Sequence, residues 1–192
     1  MQNLIKDALQ ASIDVKNRIL ADDNLRKAVE QVAKSIINAY TAGKKVILFG
    51  NGGSAADAQH IAAEFVGRFY KERASLPALA LHANTSVITA IGNDYGYDQI
   101  FARQVEAHVT TGDVVIGIST SGNSPNVVQA IEKAKEKEAF TVGMTGEKNS
   151  KLSEVADICL QVPSTDTPRI QEAHITLGHI ICFLVEQELF PD

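Results

Sequence analysis

Along the first 43 residues the apolar positions recur at the spacing of a helix face. Leu4, Ile5, Ala8, Leu9 and Ile13 mark one helix. Leu25, Val29, Val32, Ile36 and Ile37 mark a second, opened by a cap at Asp22, Asp23 and Asn24 and closed by Gly43. The pattern then changes. Short apolar, largely β-branched runs at residues 46–49, 78–81, 114–118, 140–144 and 158–162 alternate with helical segments. Five such runs with helices between them predict a parallel sheet covered on both faces, a three-layer αβα sandwich of the flavodoxin-like kind, preceded by a helical N-terminal extension. A last helix is expected from Thr167 and Pro168, a cap followed by proline at the first helical position, to about Leu189. Its apolar residues, among them Ile175, Leu177, Ile180, Ile181, Phe183, Leu184 and Val185, fall on nearly every side. Such a helix needs cover all round, and a neighbouring subunit is the expected cover for what the sheet leaves open. The whole chain, 1–192, reads as a single domain, with 1–43 packing on the core and on neighbouring subunits.

Composition narrows the function. With 45% apolar and 21% charged residues the chain can build a full core. A net charge of −5 leaves no basic surplus for a phosphate backbone, so no nucleic-acid partner is expected. No run of about 18 apolar residues and no basic-then-apolar leader is seen, so no membrane partner is expected and the location expected is cytoplasmic. Cys159 and Cys182 lack metal-type spacing and are expected as reduced core thiols.

In open parallel sheets ligands bind beyond the carboxyl ends of the strands. Two loops there carry unusual chemistry. Gly50, Asn51, Gly52, Gly53 and Ser54 follow the first run, with Ser54 and Asp57 spaced like a capping box. Ser119, Thr120, Ser121, Gly122, Asn123, Ser124 and Pro125 follow the third, crowding four hydroxyls at a helix start. Free N–H donors at a helix N-terminus, supplemented by hydroxyls, suit a phosphate. On the helix after the first loop, His60 and Glu64 lie one turn apart and about 40° around the axis, close enough to share a divalent cation. Read without other information, a surface His beside a surface Glu is the commoner arrangement. The last helix adds Gln171, His174 and His179 inside an apolar stretch.

These motifs resemble the sugar isomerase (SIS) domain, and with Gly50–Ser54 upstream the chain from about residue 2 to 189 resembles the phosphoheptose isomerase family. The resemblance implies a five-stranded parallel sandwich, a homotetramer, and one Zn2+ per subunit held by His60, Glu64, Gln171 and His179. It implies a substrate shell of Asn51, Gly52, Gly53, Glu64, Asn93, Asp94, Ser119, Thr120, Ser121, Ser124 and Gln171, with Glu64 as base and His179 as acid. Asn93 and Asp94 are expected in a polar turn, Arg68 near phosphate or an acid across an interface, and His174 as a supporting or interface residue. The implied reaction interconverts sedoheptulose 7-phosphate and D-glycero-D-manno-heptose 7-phosphate, the entry to ADP-heptose and lipopolysaccharide core precursors. One departure stands out: several relatives carry an acid before Arg-Ile-Gln, where this chain has Pro168. A non-enzymatic SIS-fold adaptor of the replication-initiator-associating type is the alternative.

Overall fold

The computed structural model describes residues 1–191. Two helices, α1 (Gln2–Ala21) and α2 (Asp23–Thr41), precede β1 (Val46–Gly50) and α3 (Gly53–Val66). Then follow β2 (Ala78–Ala80), α4 (Thr85–Tyr95), a 3₁₀ turn at Tyr97–Gln99 and α5 (Ala102–His108). The chain continues through β3 (Val114–Ile118), α6 (Pro125–Glu136), β4 (Phe140–Thr145), α7 (Lys151–Val155), β5 (Ile158–Gln161) and α8 (Thr167–Leu189). The five strands are parallel, in the order β2-β1-β3-β4-β5. β1, β3 and nearly all of β4 are buried along their length, which is why they read as continuous apolar runs.

The sheet separates two apolar layers. One joins Val32 and Ile36 of α2, Ile61 and Phe65 of α3, and Ile170, Leu177 and Ile181 of α8. The other joins Phe101 and Val105 to Val127 and Ile131 of α6 and Leu152 of α7. At the amino ends of the strands, buried Asp113 accepts from the backbone N–H and ammonium of Lys45 and from Thr110. Asp157 likewise accepts from the N–H and hydroxyl of Thr141. These acids are held below the ordinary carboxylate range, because those bonds outweigh the opposing effect of burial. They stitch one end of the sheet and leave the other end to ligands.

Several local expectations need correction. Ser54 and Asp57 do not cap α3: Gly52 is its N-cap, without a side-chain cap bond, and Ser54 is buried under the loop. At α8 the N-cap is Asp166, so Thr167 is already helical and Pro168 follows it, one residue off the expected register. Asn93 and Asp94 lie in the last turn of α4 rather than in an open turn. The cover over α8 comes largely from its own chain: α2, α3 and parts of α1 and the sheet bury one broad face, leaving Ile180 and Phe183 exposed. Asp22 does cap α2, accepting from Asn24 and Leu25. Both cysteines are free thiols, raised by burial, and Cys182 reaches about 12.

Candidate active site

The strand order reverses between β1 and β3, so the loops following these two strands flank one crevice at the carboxyl edge. In the β3 loop, the hydroxyl of Ser119 lies 3.0 Å from that of Ser124 and 3.5 Å from that of Ser121. Ser124 is the N-cap of α6, yet its hydroxyl turns to Ser119 instead of capping the helix. The hydroxyls therefore converge at the positive end of α6, as an oxyanion cradle requires. In the β1 loop, Asn51 forms a reciprocal amide pair with Asn126 of α6, two bonds of 2.9 Å, and accepts from the Tyr97 hydroxyl at 3.1 Å. The Asn51 side chain is thereby committed to joining the two loops. Asn126, 1% exposed, is a site-building residue that sequence reading missed; its signal was an amide directly after Ser124-Pro125 at a helix start.

The second part of the site lies between α3 and α8. His60 Nε2 is 3.0 Å from Glu64 Oε1 and 3.4 Å from His179 Nε2. The two imidazoles meet edge to face, 4.9 Å between centroids, and Phe69 covers His179 at 5.5 Å. Two close helix contacts produce this meeting. At Gly178 an added Cβ would lie 2.5 Å from Ile61 Cδ1, so glycine lets α8 approach α3 beside His179 with Ile61 in its present position. At Gly53 a Cβ would lie 2.6 Å from Gln171 Nε2, so the amide of Gln171 packs directly on the start of α3. Asp57, one turn before His60, is raised by burial, with His60 opposing the shift.

A metal fits this donor set. One ligand atom each from His60, Glu64 and His179 lie within 4.8 Å of one another. Two imidazole nitrogens and a carboxylate oxygen this close carry more lone pairs than a bridging proton can satisfy, and a borderline cation such as zinc accepts N and O donors together.

Other expected residues stand elsewhere. His174 is fully buried in the chain itself, 3.1 Å from the Thr145 carbonyl, and burial lowers it to about 4. It is a neutral core group that ties α8 to β4, not an interface residue. Arg68 is exposed and faces Glu72 at 3.6 Å. Asn93 bonds Asp94 at 2.8 Å on the surface, and the segment just beyond them is tied to the site through Tyr97. The hydroxyl loop borders a cavity of about 350 Å³ that Lys148, Ser164 and Thr165 also line. His179 opens instead onto a separate apolar hollow of about 340 Å³ with Tyr70, Ile180 and Phe183.

A family model described as SIS domain matches residues 10–146. A phosphoheptose isomerase of Aneurinibacillus thermoaerophilus is 56% identical over 190 residues, 99% of this chain and 96% of that protein. One from a Geobacter species is 57% identical over 186 residues, 97% of this chain and 96% of that protein. Among solved structures, a phosphoheptose isomerase from Francisella tularensis superposes with a TM-score of 0.92 at 36% identity, covering 97% of this chain and 98% of that one. One from Neisseria gonorrhoeae gives 0.91 at 40% identity, with the same coverage. Identity above one half along almost the whole chain, carried on the same fold, makes this protein a member of the phosphoheptose isomerase family of SIS-domain proteins.

Proposed function

We propose that the protein interconverts sedoheptulose 7-phosphate and D-glycero-D-manno-heptose 7-phosphate, with one zinc per subunit, as the first step toward ADP-heptose and lipopolysaccharide core precursors. The observation that carries this reading is the meeting of His60, Glu64 and His179 across α3 and α8 in a chain that also builds a hydroxyl cradle at α6. The family relationship supplies the substrate. The adaptor alternative is not favoured, since the relatives named above are isomerases and the complete acid/base set is present here.

Aldose–ketose isomerisation moves one proton between C1 and C2 and another between the two oxygens, through an enediol. The phosphate rests on Ser119, Ser121 and Ser124 with Thr120, at the N-terminus of α6. Asn51, Gly52, Gly53, Asn93, Asp94 and Gln171 surround the sugar. Glu64 takes the proton from C1 of the ketose and returns it to C2. His179 gives a proton to O2 and recovers one from O1. His60, Glu64, Gln171 and His179 would hold the zinc, which supplies electrophilic polarisation of the substrate oxygens when bound. A carboxylate or imidazole bound to a cation is less basic and less free to carry a proton, so Glu64 and His179 would serve as base and acid only with their coordination changing during turnover.

Oligomerisation belongs to the same reading. Ile180, Phe183 and Tyr70 are exposed beside His179, and Leu4, Ile5, Leu9, Ile13 and Leu20 are exposed along α1. A homotetramer would cover these faces, which the single chain leaves open. Among the described residues no helix is long and apolar enough to cross a membrane, which fits work in the cytoplasm.

A proton NMR time course in D₂O with sedoheptulose 7-phosphate and zinc tests the reaction. An aldoheptose anomeric signal with deuterium at C2 is expected; no change beyond the protein-free control, with folded zinc-loaded protein, overturns it. Glu64→Gln is expected to abolish turnover while phosphate binding survives. Activity above a few per cent of wild type removes Glu64 from the base role.

A further inference from the structure

Among the described residues outside the cluster, Arg73 and Glu186 form a heavily bonded charged pair, 2% and 1% exposed, with Nε and Oε1 3.0 Å apart. A buried ion pair is expensive to desolvate unless each partner is fully bonded, and both are. Glu186 accepts from the backbone N–H groups of Phe69 at 3.1 Å, Tyr70 at 2.7 Å and Lys71 at 3.0 Å. Those bonds and Arg73 together hold its carboxyl below the ordinary range although burial pushes it up. Arg73 donates through Nη2 to the Glu64 carbonyl at 2.7 Å and through Nη1 to the Phe65 carbonyl at 2.9 Å.

The carbonyl groups at the end of α3 show what this achieves. A helix leaves its last four carbonyls without internal partners. Here Ala63 is met by the Gly67 N–H, Glu64 and Phe65 by Arg73, and Val66 by the Ser75 hydroxyl. One short segment after α3 therefore terminates the helix that carries His60 and Glu64. The same segment is strapped by Glu186 to α8. Glu186 lies seven residues beyond His179, two turns on and on the same side of the helix. The strap also lays Phe69 against His179.

We propose that Arg73 and Glu186 form a clamp that sets the spacing of α3 and α8 and thereby positions His179 against His60 and Glu64. Both are positioning residues. They touch no reacting atom. The clamp rests on the zinc reading above for its most direct readout, but it also predicts kinetics: the phosphate cradle at α6 lies outside it while the acid and base lie within it, so kcat should fall far more than KM rises.

The test compares the full-length wild type with Glu186→Gln, which keeps shape and loses the charge, and Arg73→Lys, which keeps charge and loses the fork. Leu152→Ala, in the apolar layer on the opposite face of the sheet, calibrates a general loss of stability. Zinc affinity is read by competition with a chromophoric chelator, beside kcat and KM. Both clamp variants should lose about tenfold or more in zinc affinity and in kcat, with KM within about twofold, while Leu152→Ala keeps wild-type affinity despite a lower Tm. A folded clamp variant with wild-type zinc affinity, or equal loss in Leu152→Ala, overturns the proposal. If the clamp variants do not fold, hydrogen exchange of the wild type decides: zinc should protect the amides of Phe69, Tyr70 and Lys71 more than those of Val105 and Ile131, and equal gains overturn the clamp. A wild type that takes up no zinc refutes the metal reading instead, and the clamp then stands or falls on a loss of kcat far greater than any rise in KM.

Discussion

Replacing Gly178 by alanine tests whether close approach of α3 and α8 builds the cluster. The new methyl would sit 2.5 Å from Ile61 Cδ1 and 2.8 Å from Ile61 Cγ1. Carbon atoms in contact prefer about 3.5–4.0 Å, so a shortfall above about 1 Å must be absorbed. Ile61 is 2% exposed, so turning its Cδ1 away from the new methyl presses it on other buried atoms, and the strain is shared between that side chain and the spacing of the helices. Overpacking of this kind costs about 1–3 kcal/mol, whereas alanine in place of glycine within a helix returns about 1 kcal/mol. The net expectation is a loss of up to about 2 kcal/mol, or up to roughly 8 °C in Tm for a chain of this size. The functional loss should be larger, because the His60–His179 contact of 3.4 Å lies beside the strained contact. Differential scanning calorimetry gives the first number and zinc affinity with kcat the second. Ile61→Val removes the nearer clashing carbon and should recover part of both losses when combined with Gly178→Ala, although alone it costs about 0.5–1.5 kcal/mol. A Gly178→Ala protein at least as stable as wild type, with unaltered zinc affinity, would refute the reasoning.

Three further outcomes are expected. His174 binds its proton at about 4 in the folded chain against 6.5 unfolded, so the unfolded state takes up protons first and stability is lost as pH falls through that window. Urea unfolding of the zinc-free protein should lose about 2 kcal/mol between pH 7.5 and 5, with His82 adding in the same direction; His174→Gln should flatten the slope, and an unchanged slope would clear His174 of it. Ser121→Ala should raise KM about tenfold with kcat little changed, since a hydroxyl bond to a charged phosphate contributes about 1.5–3 kcal/mol; equal KM in steady-state kinetics would remove Ser121 from the cradle. Asn126→Asp puts a carboxylate against the Asn51 carbonyl oxygen, with which it cannot share a proton, and should lower kcat/KM by about tenfold or more, while a variant with wild-type kinetics would show that the amide pair is dispensable.

Much of this protein was legible as local pattern. The helix periods, the apolar strands and the punctuation at Gly43 and Ser124-Pro125 each depend on a few neighbouring residues, and so do the alternation that dictates a parallel sheet and the loops that must lie at its carboxyl edge. The pairing of His60 with Glu64 was readable for the same reason, since one helical turn is a local distance. In the sequence, only family resemblance joins His179 to them, because 119 residues separate it from His60 and no local rule says which face of α8 meets α3. That face was chosen by packing, through Gly178 against Ile61. Packing likewise made His174 a neutral core group rather than an interface residue and turned the Asn51 amide toward Asn126. It also made Glu186, an unremarked acid in an apolar helix, one arm of a buried pair with Arg73. Short-range sterics and hydrogen bonding fix elements and loops, and these the sequence determined by itself; burial and charge pairing depend on which distant surfaces exclude water together, and that only the tertiary structure decided.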